Sequence, residues 1–197
     1  MKKSIKPRKE PKQSRSRRTR EEILQATAHL LNRRPLGEVS TNHIAKKTGI
    51  SIGTLYKYYP NKDSILADLS LMYMRQDAER FEHILAECAG RELDVLLNEL
   101  VEALMQAHKE DYRVRGVVYQ NLERLRLVTE AQNATQRIHA NGFLAVPGFD
   151  PALTWVALSA VNSAVHSMSQ LSRQEQNWGF VQNLCRQVLE LLVQSAL

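Results

Sequence analysis

No stretch of this chain approaches the roughly 18 consecutive apolar residues that a membrane-crossing helix needs, so no transmembrane anchor is expected. The basic N-terminus is not followed by the roughly 7–15-residue apolar segment of a secretory signal. Cysteine is scarce: Cys88 and Cys185 stand far apart, which excludes a disulfide framework and reads as two reduced thiols in a cytoplasmic protein. His83, His108, His139 and His166 fall on separate helical segments, so no metal spacing exists and no cofactor is expected. A Gly-rich phosphate loop, a nucleophile elbow and a paired acid–base constellation are all missing, and an enzyme is not expected. Alternating β patterns of useful length are missing too, which leaves an all-α fold.

What is present is charge, and it is unevenly placed. Residues 1–20 carry a net +9, residues 21–62 a net +3 and residues 63–197 a net −6. A positive field confined to the first third points to a polyanion partner for that part alone. Residues 1–18, with one Ile and no aromatic, read as a disordered basic arm whose cations would add a salt-dependent contribution to polyanion binding.

Thr19 and Glu22 form a capping box that predicts a helix start, with Ile23, Ala26, Leu30 and Leu31 on one face. Pro35-Leu36-Gly37 stops that helix. A short helix opens at Ser40 or Thr41, with Ile44 and Ala45 inward. Thr48-Gly49 makes a turn, and Ser51 caps a third helix that Pro60-Asn61 ends. Long helices are expected near 61–88, 91–109, 112–140, 151–171 and 174–196. The organisation read from this is an arm over 1–18, a helix-turn-helix head over 19–62 and a larger helical domain over 63–197.

Two short helices joined by a Gly turn form a helix-turn-helix, whose second helix can enter a DNA major groove. On that helix Leu55 and Tyr59 face inward by spacing. Ile52, Gly53, Thr54, Tyr56, Lys57 and Tyr58 are left outward, a surface ill suited to water alone. Lys62 places a cation in the first turn of the next helix, against the macrodipole, where a helix N-terminus and an ammonium together suit a phosphate.

The stretch "STNHIAKKTGISIGTLYKYYPNKDSIL" resembles the signature of the tetracycline-repressor (TetR) family of bacterial transcription regulators. The resemblance covers about residues 20–69. It implies hydroxyl contacts from Thr41 and Ser51 to phosphates. Ile52, Gly53, Thr54 and Lys57 would face base edges, and Tyr56, Tyr58 and Lys62 would grip phosphates. Tyr59 departs from the family's usual Phe, and its hydroxyl is expected at the domain edge.

In the larger domain, apolar and small residues recur at three and four. Leu153, Ala157, Ala160, Ala164 and Met168 share one face, and Phe180, Leu184, Val188 and Leu191 another; the resemblance implies that these helices pair in a homodimer. Tyr73, Phe81, His83, Met105, Tyr119, His139, Phe143, Trp155, Asn162 and His166 are candidates to line an effector pocket.

The expected function is a dimeric regulator, most often a repressor, released from a pseudo-palindromic operator in double-stranded DNA by a small molecule of unknown identity. The alternative is a constitutive DNA-binding protein of the same build, controlled by a protein partner.

Overall fold

A computed structural model of the chain describes residues 14–87, 93–130 and 177–196, with isolated positions 133, 160, 163–165, 167, 168 and 171 between them. Among the described residues the regular structure is helical throughout, in keeping with the all-α reading. Contacts group the chain into two units: Met1–Tyr73 with Val117–Thr129, and Met74–Gly116 with Glu130–Leu197.

In the first unit, α1 (Ser14–Leu31) buries Ile23, Leu24, Ala26, Thr27 and Leu31. The three- and four-residue spacing of those positions gives the helix one apolar stripe. Thr27 survives in the core because its hydroxyl donates back to the Ile23 carbonyl at 2.7 Å. The chain is already helical at Ser14, the first described residue, five residues before the expected cap. Thr19 is interior, its hydroxyl donating to the Arg15 carbonyl at 3.1 Å instead of capping. Residues 14–18 are helical, so Thr19 has a helical turn before it and no free first turn to cap.

After Leu31 a single 3-10 turn, Leu36–Glu38, leads to α2 (Thr41–Thr48) and α3 (Ile52–Tyr58). Next comes α4 (Lys62–Glu87), which Asn61 caps by accepting from the Ser64 N–H at 2.9 Å. Val39, Ile44, Ala45, Leu55, Ile65, Leu66 and Leu69 complete the core of this unit, joined from the later segment by Val118, Leu125 and Leu127. Arg124 of that segment pairs with Asp63 at 2.7 Å.

The second unit takes the rest of α4 and most of α5 (Leu93–Gln120), which runs unbroken apart from non-helical angles at Asp111. Two helices were expected there, parting between 109 and 112, and the kink falls in that interval. The expected continuation to 140 is not found: the helix stops at Gln120, followed by a turn in which Arg126 takes φ 57°. Arg115, buried, donates to both carboxylate oxygens of Asp77 at 2.7 and 2.9 Å. The C-terminal helix, Trp178–Ala196, buries Val181 and Cys185.

Candidate nucleic-acid interface

The turn between α2 and α3 is built by local chemistry. Ser40 caps α2: its hydroxyl accepts from the His43 N–H at 3.2 Å, and His43 Nδ1 accepts in return from the Ser40 N–H at 3.4 Å. Gly49 closes the helix at φ 75°, ψ 19°, the left-handed region that a side chain would strain. The Ile50 N–H then donates to the Ala45 carbonyl at 3.1 Å, turning the chain sharply into α3. Ser51 caps α3 by accepting from the Thr54 N–H at 3.1 Å, and its oxygen also lies 2.8 Å from the Thr54 hydroxyl.

Leu55 and Tyr59 are fully buried, as their spacing requires, and this fixes the opposite face of α3 outward. Ile52, Gly53, Tyr56 and Lys57 are exposed, with Thr54 and Tyr58 half-buried beside them. Ile52 keeps 37% and Tyr56 40% of their surfaces open, an apolar and phenolic area that hydration alone does not favour. The Tyr56 hydroxyl lies 3.1 Å from that of Thr41 at the start of α2, so the two hydroxyls form one polar edge along the turn. The Tyr58 hydroxyl accepts from Ser16 at 3.5 Å, which brings the basic start of α1 to the end of α3. A Cβ at Gly53 would meet nothing closer than the Ser51 hydroxyl oxygen, at 3.9 Å. Nothing inside the fold therefore demands glycine in this helix.

Two expected placements are corrected. The Tyr59 hydroxyl does not reach the domain edge: it is buried and donates to Asp68 Oδ2 at 2.5 Å. Asp68, itself buried, also receives the Arg20 guanidinium through both of its oxygens, with Nε 2.6 Å from Oδ2. Burial first, then the Asp68 carboxylate, pushes the Tyr59 phenol far above its ordinary range, and hydrogen bonding to Asp68 raises Arg20. Sequence reading missed this cluster. Its one visible signal was an acid, Asp68, among the buried positions Leu66, Ala67 and Leu69 of α4.

The second correction is Lys62. Its ammonium donates to the Leu36 carbonyl at 2.8 Å and the Val39 carbonyl at 2.9 Å. The cation that stands against the macrodipole therefore ties the 3-10 turn to the start of α4.

Of the pocket candidates, Tyr73 is buried in the first unit and Met105 in the second. The His83 side chain is 71% exposed and lies 3.2 Å from Glu87 one turn on. The side chains of Phe81 and Tyr119, and the residues His139, Phe143, Trp155, Asn162 and His166, lie outside the described residues. Of the self-association candidates, Phe180, Leu184 and Leu191 are exposed apolar groups on the C-terminal helix, with Val188 half-buried between them. Ala160 is exposed, Ala164 and Met168 are half-buried, and Leu153 and Ala157 lie outside the described residues. No group of His, Cys, Asp or Glu suited to a metal ion occurs among the described residues, and no helix there is long and apolar enough to cross a membrane.

A Gly-turned helix pair that presents a polar, lysine-bearing second helix from a basic head defines a helix-turn-helix DNA-binding protein. Residues 23–69 match the model of the bacterial regulatory proteins of the tetR family. Over that segment the chain is similar to the DNA-binding part of those transcriptional regulators. Over 47 residues it is 43% identical to the HTH-type transcriptional regulator EthR of Mycobacterium tuberculosis, a match spanning 24% of this chain and 22% of that relative. The alignment thus reaches only about a fifth of the curated relatives' length. Along nearly the whole chain the fold is that of a TetR-family regulator from Mesorhizobium loti (TM-score 0.71, 18% identity, 92% of this chain and 98% of that one). The TetR-like regulator LfrR of Mycobacterium smegmatis, solved with proflavine, is also similar (TM-score 0.64, 16% identity, 90% and 97% covered).

Proposed function

We propose that this protein is a dimeric repressor that grips a pseudo-palindromic operator through α3 and is released by a small molecule bound within residues 63–197. The outward face of α3 carries the reading: an exposed isoleucine, an exposed tyrosine and a glycine for which the fold itself has no need. In this assignment Ile52, Gly53, Thr54 and Lys57 meet base edges, while Thr41, Ser51, Tyr56 and Tyr58 meet phosphates. The exposed stripe of Phe180, Leu184 and Leu191 supports pairing of two chains through the C-terminal helix. Control by a small molecule is supported by the likeness of residues 23–69 to the tetR-family model and by the proflavine held in the similarly folded LfrR structure. Lys62 serves the interface indirectly, through Leu36 and Val39.

Selection from random duplexes, with light scattering of the free protein, tests this. The expected result is a dimer mass and an inverted repeat whose half-sites lie about 34–36 Å apart, or a multiple of that. Lys57→Ala should then change the preferred sequence. A monomer at micromolar concentration, or a preferred site without inverted symmetry, would overturn the proposal.

A further inference from the structure

We infer that Tyr59 is a positioning residue for operator recognition: its hydroxyl, bonded to Asp68 beside Arg20, sets the direction in which α3 is presented. The inference rests on α3 being the recognition helix.

Tyr59 is the C-terminal cap of α3. Its N–H donates to the Leu55 carbonyl at 3.0 Å, and there its backbone turns extended, at φ −130° and ψ 123°. Whatever holds Tyr59 therefore holds the last turn of α3. The ring is fully buried, and the hydroxyl ends on a carboxylate that α4 carries at Asp68. Three helices thus meet at one side chain: α1 through Arg20, α3 through Tyr59 and α4 through Asp68.

The phenol is not needed to neutralise Asp68. Arg20 alone supplies the opposite charge and a two-pronged hydrogen bond to both carboxylate oxygens. Nor is it needed for volume, since a phenylalanine ring would fill the same space. What the hydroxyl adds is direction, because a hydrogen bond to a charged acceptor constrains angle as well as distance and is stronger than a neutral one.

Direction matters because α3 is short. At about 1.5 Å per residue its seven residues extend roughly 10 Å. A tilt of about 10° at Tyr59 would move the Ile52 end by about 2 Å, more than a hydrogen bond to a base edge tolerates. Phosphate contacts through flexible side chains are more forgiving, so loss of the tie should cost sequence discrimination before it costs general affinity.

The test is Tyr59→Phe in the full chain, which keeps the ring and removes the hydroxyl. Affinities for the selected operator and for a random duplex are measured by fluorescence anisotropy at one salt concentration. Both proteins are normalised to their titrated active fraction and held below the melting range of either. Operator affinity should fall about tenfold while random-duplex affinity stays within about twofold, narrowing the ratio. Asp68→Ala combined with Tyr59→Phe should narrow it little further than Asp68→Ala alone, because both remove the same tie. A residue that merely packs would lower both affinities together or neither. An unchanged operator-to-random ratio in Tyr59→Phe would therefore overturn the inference alone. A wild-type chain that shows no operator preference would instead overturn the reading of α3 on which it stands.

Discussion

The Lys62 ammonium lies 2.8 Å from the carbonyl oxygen of Leu36 and 2.9 Å from that of Val39, bridging the 3-10 turn and the first turn of α4. Lys62→Ala would leave two half-buried carbonyls without this donor, at a cost of about 1–2 kcal/mol. The expected outcome is a lower melting temperature by circular dichroism. A variant that melts like the wild type yet binds all duplexes more weakly would return Lys62 to the phosphate-gripping role its position first suggested.

Gly53 offers a sharper separation of stability from function. A methyl group there meets only the Ser51 hydroxyl oxygen at ordinary contact distance. In a helix, alanine should stabilise relative to glycine by roughly 0.5–1 kcal/mol. Gly53→Ala should therefore raise the denaturation midpoint of the head and weaken operator binding, because the added methyl stands between backbone and DNA. Unchanged operator affinity would remove Gly53 from the interface.

On the C-terminal helix, Phe180 and Leu191 are 61% and 66% exposed and lie three turns apart on one face. Glutamate at both positions should be tolerated by the isolated chain and rejected by a paired one. Light scattering should show a monomer mass, with operator affinity lost alongside it. A double variant that keeps a dimer mass would place self-association elsewhere.

Cys185 gives a pH-dependent expectation. Burial pushes its thiol up to about 11 from an ordinary value near 9. A pKa raised in the folded state means that the thiol's contribution to stability is complete below pH 9 and declines as pH rises through 11. In a Cys88→Ser background, reaction with a disulfide reagent at pH 8 should be about a hundredfold slower in native protein than in denaturant. Equal rates would show that the helix around Cys185 opens readily.

The helix-turn-helix was legible in the sequence because every device in it is local. Ser40 and Ser51 cap, Gly49 turns, and Leu55 and Tyr59 fall on the inner face by spacing alone. What escaped were partners distant along the chain. Arg20 and Asp68 are 48 residues apart, and Lys62 reaches back 26 residues to Leu36. Periodicity assigns a residue to a face but does not say which neighbour waits there, so the Tyr59 hydroxyl was expected at the domain edge and the Lys62 ammonium at a phosphate. The exposure of His83 was not legible for the related reason that helical spacing on α4 does not by itself tell a lining position from a solvent-facing one. The end of α5 at Gln120 was missed because no Gly or Pro marks it; Arg126 takes the left-handed angle that glycine usually signals.

The first unit is discontinuous in sequence, and that limits how such a head could be transplanted onto another regulator. The simplest chimera joins donor and recipient at one peptide bond after the recognition helix. A seam at residue 60 here would strand Tyr59 from Asp68 and Leu36 from Lys62. A seam at residue 73 would keep both ties but leave behind Val117–Thr129, and with it the Arg124 partner of Asp63 and the buried Leu125. A portable head therefore needs two grafted pieces, and a donor cassette ending soon after α3 should lose its grip on DNA even with every DNA-facing residue intact.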